Sequence, residues 1–373
     1  MTDTLEPVSR LAEEESGGPQ PGTGIGVSGG GYRAMLFHLG AFLRLHELGL
    51  LKRLDRISSV SGGSITAAKI GLEWDKLNSR DDFFTHVVKP IRRVAGITID
   101  VPAVLWGLIL PGGVARQVSK RYRKYLFGDS TLQDLPDSTR FVINATNLET
   151  GKLWRFSKPY MRDFSVGMVK DPKVSLADAV TASSAFPPVL SPFVLKVAPG
   201  DFSLVEPDVP ADMLSDISLS DGGVYDNLGL ETVWKRYQTV LVSDAGVALG
   251  RNADPAGDWA RLGMRVVDII FGQVASLRTR QVIASFNAEE RTGTYWGIRT
   301  DIANYQLPDA LACPFDRTTE LAATPTRLCA FSDRLQERLI NWGYAVCDAA
   351  VRKHWPPPDA QPPAGFPYPD AGV

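Results

Sequence analysis

From residue 24 to about residue 250 the chain alternates short runs of small and β-branched residues with stretches whose apolar positions recur every three or four. "GIGV" (24–27) leads into a helical pattern over 33–48, and "RISSV" (56–60) into one over 62–72. "FVINATNL" is followed by "LWRFS", "ISLSD" by a helical pattern over 228–236, and "TVLVSDAG" closes the series. Strands spaced by helices predict an α/β fold, a three-layer sandwich around a central, mostly parallel sheet. Residues 258–288 set Leu262, Val266, Ile269, Ile270, Val274 and Leu277 at helical spacing among Arg261, Arg265, Arg278 and Arg280. That spacing predicts a long amphipathic helix packed on the core. Residues 1–23 are acidic and rich in Gly and Pro, and "WPPPDAQPPAGFPYPDAGV" (355–373) cannot hold a helix or an interior strand, so both ends are expected to be disordered. No repeat or linker divides the middle. The expected organisation is one domain over 24–250, with a helical part over 251–354 packed on it.

Composition narrows the partners. With 373 residues, 44% hydrophobic, 22% charged and a net charge of -2, the chain is globular in type and unsuited to binding nucleic acid over its whole surface. An electrostatic partner must therefore meet a local patch. "VPAVLWGLIL" (101–110), with Trp106 near its centre, is too short to span a bilayer, which takes about 20 residues. It precedes Arg116, Lys120, Arg121, Arg123 and Lys124. Segment 101–124 reads equally as a peripheral membrane contact or as a buried helix followed by a solvated basic face. The acidic N-terminus lacks signal-peptide or transit-peptide features, which points to a cytoplasmic protein. Cys313, Cys329 and Cys347 form no CxxC pair and read as free thiols.

Two glycine loops carry candidate chemistry. In "GTGIGVSGGGYRAMLFHLG" the match of Gly24, Gly26 and Gly29 to a dinucleotide fingerprint fails, because no strand precedes Gly24. The better parse is a strand over 24–27, a turn over Gly29–Gly31 and a helix from Arg33 to near Gly49. Successive amides in such a turn stabilise an anion, a phosphate or an oxyanion. The literal G-x-S-x-G match nominates Ser28 as nucleophile, whereas "SVSGGS" (59–64) nominates Ser61 on a strand-to-helix elbow. Acyl transfer needs one elbow and one separate bank of amides. Three consecutive glycines make the better bank, which leaves Ser61 as the nucleophile.

The proton acceptor is the next question. His38, His46, His86 and His354 do not follow the order Ser, Asp, His of an α/β-hydrolase triad, and each reads better as a packing or solvated residue. "ISLSDGGVYDNLGLE" offers Asp221 at a strand end before two glycines. A carboxylate serves as base when burial raises its pKa towards neutrality.

In this order, "SGGGYRA" (28–34), "SVSGGS" (59–64), "ASSAFPP" (182–188) and "DGGVYDN" (221–227) resemble the patatin-like phospholipases over roughly residues 24–250. The resemblance implies an α/β lipid acyl hydrolase with a Ser-Asp dyad and no metal or other cofactor. It assigns Ser61 as nucleophile, Asp221 as proton acceptor, Gly29, Gly30 and Gly31 with Gly62 as the oxyanion hole, and Arg33 as the arginine that follows the loop. Two positions differ, with Ser28 where the family has Asp and Ser59 where it has Gly. The implied substrate is a membrane phospholipid or another acyl lipid; the alternatives are a soluble carboxylesterase, an acyltransferase on the same dyad, or a non-catalytic lipid-binding protein.

Overall fold

The computed structural model describes residues 19–99, 113–246, 250, 253–254 and 257–373, without the side chains of Ala260 and Met264. Its strands are β1 (Gln20–Val27), β2 (Arg56–Val60), β3 (Arg140–Asn147), β4 (Lys152–Phe156), β5 (Tyr160–Asp163), β6 (Gly167–Lys170), β7 (Phe193–Lys196), β8 (Leu204–Val205), β9 (Asp216–Asp221), β10 (Tyr237–Asp244) and β11 (Thr292–Gly297). The main helices are α1 (Gly31–Glu47), α2 (Gly62–Leu72), α3 (Gly113–Tyr122), α4 (Leu176–Ser183), α5 (Trp259–Asn287) and α6 (Asp333–His354). The sheet runs β11-β10-β1-β2-β3-β4-β5-β6-β8, and its first five strands are parallel. The strands from β4 outward add antiparallel.

The register explains how distant residues meet. β2 lies along one edge of β3 as far as Val60 opposite Asn144. β9 takes over the same edge in the opposite sense, with Asp221 opposite Ala145. The residue after Val60 and the end of β9 are thereby brought tip to tip.

Helix α1 is buried from Gly31 to Leu45, which accounts for the nearly continuous apolar run "AMLF" and "LGAFL". It ends as the glycine at 49 implies: Gly49 takes φ 66°, its N–H donates to His46 O, and Leu50 N–H donates to Leu45 O. On its far side α6 crosses at backbone contact. A Cβ on Gly40 would stand 1.9 Å from Ile340 O, and one on Gly343 would stand 1.8 Å from Phe37 O. Only glycine permits that approach. Leu241 of β10 faces this main core, while Val240 and Val242 face a smaller core with Leu228, Val233 and Val282 of α5. Apolar cover on both sheet faces makes the three layers.

Several expectations need correction. Gln20 already opens β1, so the ordered chain starts before residue 24; residues 1–18 and the apolar run 101–110 lie outside the described residues. The part after residue 250 is not only helical, because β11 extends the parallel sheet. The proline-rich tail forms neither helix nor strand but is held in place. Asn341 Nδ2 donates to Tyr368 O at 2.8 Å and to Gly372 O at 2.7 Å, and Trp355, Phe366, Tyr368 and Val373 pack on the core. Aromatic anchors and a buried amide order a segment that cannot form regular structure. The outer half of α5 does not pack on the core: Leu262, Val266, Ile269, Ile270 and Leu277 are exposed. As expected, Cys313, Cys329 and Cys347 form no disulfide among the described residues.

Candidate active site

Ser61 joins β2 to α2 with φ 50° and ψ −119°, a conformation that L-residues adopt only under constraint. The constraint is visible. A Cβ on Gly62 would stand 2.1 Å from Gly31 O, so the elbow and the glycine loop touch backbone to backbone. The Ser61 N–H donates to Ser183 Oγ at 2.9 Å. Ser183 lies 2.9 Å from Ser64 Oγ, which donates to Ser59 Oγ at 3.0 Å, and Ser59 donates to Val142 O at 3.3 Å. A chain of hydroxyls thus ties the elbow to β3. Ser59 is a member of that chain, accepting from Ser64 and donating to Val142.

The Ser61 side chain does not cap α2; it stands beside the Asp221 carboxylate, close enough to help hold its charged form. Asp221 is pinned by its N–H to Ala185 O at 2.9 Å and by Thr146 Oγ1 donating to its carbonyl at 2.8 Å. Its Oδ1 accepts the Gly223 N–H at 2.7 Å. Burial raises its pKa from 3.8 to about 6, against the pull of the Gly223 and Ser61 hydrogen bonds. Tyr122, at the end of α3, is buried close by; burial pushes its phenol well up, with the Asp221 carboxylate adding to the effect. Neither Ser183 nor Tyr122 stands out by residue type, although Ser183 lies within the "ASSAFPP" motif.

The glycine loop divides its amides. Gly29 N–H donates to Asn227 O at 3.0 Å, so Gly29 leaves the expected donor bank. Its lack of a side chain still matters, since a Cβ there would stand 3.1 Å from Ser61 Cβ. The N–H groups of Gly30, Gly31 and Gly62 have no acceptor among the described residues. Arg33 is buried beneath the loop and donates to Thr324 O and to Ala245 O, each at 2.7 Å. It braces the loop and does not touch the dyad. Burial lowers its pKa to about 10, opposed by nearby Asp244.

Ser28 has no hydroxyl to spare. It is 0% exposed against 8% for Ser61, accepts the Ala245 N–H at 2.7 Å and donates to Gly29 O at 3.2 Å. His38 approaches it at 3.4 Å, but this ring also contacts Ser243 Oγ at 2.8 Å and is buried, with its pKa lowered to about 3. The other three histidines are engaged elsewhere: His46 stacks on Phe83, His86 lies 3.9 Å from Glu73, and His354 meets Tyr305 edge-on.

A serine on a strained elbow, a buried aspartate and a glycine-loop amide bank coincide with the match of the patatin-like phospholipase family model to residues 27–234. The chain belongs to the patatin-like phospholipase family. Among solved structures, human GIVD cytosolic phospholipase A2 in complex with methyl gamma-linolenyl fluorophosphonate aligns with TM-score 0.53 and 14% identity, covering 88% of this chain and 57% of that one. VipD from Legionella pneumophila aligns with TM-score 0.38 and 14% identity over 90% of this chain and 68% of its own. The likeness to the human phospholipase is one of fold, and in two of its structures this chain spans 45% and 57% of the human chain. No curated protein sequence matches the chain. Among the described residues, no helix of this patatin-like chain is long and apolar enough to cross a membrane.

Proposed function

We propose that the protein is a lipid acyl hydrolase of phospholipase A type, cleaving carboxylic esters of glycerophospholipids or acylglycerols through an acyl-enzyme on Ser61. The observation that carries this reading is the meeting of the strained Ser61 elbow, at the end of β2, with buried Asp221, at the end of β9, whose pKa burial raises to about 6. Near neutral pH such a carboxylate is ionised yet basic enough to accept a proton as the nucleophile attacks. Ser61 Oγ adds to the ester carbonyl carbon while its proton passes to Asp221. The carbonyl oxygen becomes an oxyanion facing the N–H groups of Gly30, Gly31 and Gly62, and each such donor is typically worth about 3 kcal/mol in the transition state. The ester C–O bond then breaks, and protonated Asp221 gives its proton to the departing alcohol. Asp221 next takes a proton from water as the water oxygen attacks the acyl carbonyl, the acyl–Oγ bond of Ser61 breaks to release the carboxylic acid, and Asp221 returns the proton to Ser61 Oγ.

Family membership supports the lipid ester as substrate, and exposed Phe186, next to Ala185 at the base, supplies an apolar rim. The test is release of free fatty acid from phospholipid dispersed in detergent. The wild type should release it and Ser61→Ala should not; equal release by both would end this reading.

A further inference from the structure

Helix α5 carries apolar residues on two faces, and only one is used. Phe271 meets Phe186 edge-on at 6.2 Å, Arg278 pairs with Glu231 at 3.1 Å and approaches Asp226 at 3.6 Å, and Val282 is buried. These contacts fix α5 to the loop beside Asp221 and to the segment that follows it. At 3.6 residues per turn, Trp259, Leu262, Val266, Ile269, Ile270 and Leu277 fall in a second strip about 100° wide, centred about 150° round the helix. Their exposures run from 43% at Leu262 and Ile269 to 87% at Trp259, so no described residue covers the strip. Contiguous apolar surface on that scale marks a contact site.

We propose that this outer strip of α5 docks the protein on an anionic lipid bilayer. Charge favours that occupant. Asp268 is the helix's one acid, whereas Arg261, Arg265, Arg278 and Arg280 are its cations. Arg278 is tied to Glu231; Arg261 pairs with the helix cap Asp258, and Arg265 donates to Gly250 O. An apolar strip bordered by arginines and ended by an exposed tryptophan suits a headgroup boundary. Position favours it too. Phe186 packs on the opposite face of α5 and adjoins the residue that holds Asp221, so the docked helix is the element that lies against the dyad's loop. The choice of partner rests on the hydrolase reading above, but the test does not.

Binding is measured on the full chain carrying Ser61→Ala, by co-flotation with phosphatidylcholine vesicles with or without phosphatidylserine. The parent should bind, more tightly with phosphatidylserine. Adding Leu262→Gln, Val266→Gln and Ile270→Gln should weaken binding at least about 10-fold without lowering the melting temperature. Reversing Arg261, Arg265 and Arg280 to Glu should remove the preference for phosphatidylserine and the dependence on salt. On the native Ser61 background the triple Gln chain should cleave a short soluble ester at the parental rate; if neither chain cleaves it, the dyad reading fails while the vesicle result stands. Unchanged vesicle binding by the triple Gln chain overturns the proposal, whether the melting temperature falls, which would make the strip an internal contact, or a solution dimer dissociates, which would make it an interface between copies.

Discussion

β1 and β2 lie side by side in one parallel sheet, and each ends in a serine, glycines and a buried helix. The two serines nevertheless have different work. Ser28 faces inward, with its hydroxyl spent on Ala245 N–H and Gly29 O. Ser61 is held at φ 50° beside a buried carboxylate, with no other hydrogen-bond partner for its hydroxyl among the described residues. The strand-Ser-Gly-Gly-helix pattern alone therefore does not make a nucleophile; what remains for the hydroxyl to bond decides it. In the proposed mechanism the loops also divide the chemistry, since the first offers two amides that have no acceptor among the described residues, and the second offers the attacking oxygen and one such amide.

The comparison is broken most severely at the serines. Ser61→Ala should lower ester hydrolysis by at least about 10⁴-fold, the scale seen when a nucleophile is removed. Ser28→Ala leaves the Ala245 N–H without its acceptor, so its main effect should be a stability loss of about 1–3 kcal/mol, read by thermal melting. A Ser28→Ala enzyme as inactive as Ser61→Ala, but fully stable, would reverse the assignment.

Asp221→Asn keeps the shape and removes the base, and hydrolysis should fall at least about 100-fold. In the wild type, kcat/KM should rise with pH and level off above about 6, where Asp221 is ionised. Stability should move the other way. The folded pKa of about 6 lies above the ordinary carboxylate value of 3.8, so the folded protein holds this proton more tightly than the unfolded chain, and stability falls as pH rises between those values. The resulting cost above pH 6 is on the order of 3 kcal/mol. Asp221→Asn should therefore melt higher than wild type at pH 8, and the two melting temperatures should converge towards pH 4. A variant less stable than wild type at pH 8 would mean that the carboxylate is held by more than it loses on burial.

The smallest effect is expected at Ser183. Ser183→Ala removes the acceptor of the Ser61 N–H and cuts the hydroxyl chain, which should lower kcat about 10-fold with little change in KM, as loosened positioning does. Threonine keeps the hydroxyl and should restore most of the rate. Failure of threonine to do so, in a stable protein, would assign the loss to packing.

What the sequence conveys follows from range. β2 and α2 are read to the residue, because a β-branched run, a serine and two glycines define that junction locally. Asp221 is legible as a strand end before "GG", but its meeting with Ser61 depends on β2 and β9 sharing one edge of β3, a pairing that no local pattern encodes. Gly29 looks equivalent to Gly30 and Gly31 until Asn227, almost two hundred positions away, takes its N–H. The apolar period of α5 is correctly seen, but a period cannot tell which of two apolar faces the core will cover. The tail shows the converse: proline excludes helix and strand, and order comes instead from Asn341 and the aromatic residues.

The division of labour between the two serines is tested most directly by reacting the protein with a fluorophosphonate and locating the adduct by peptide mass spectrometry. Only a serine activated as a nucleophile should react. The account predicts a single adduct on Ser61, absent after Ser61→Ala and retained after Ser28→Ala. An adduct on Ser28, or full labelling of Ser61→Ala, would contradict it.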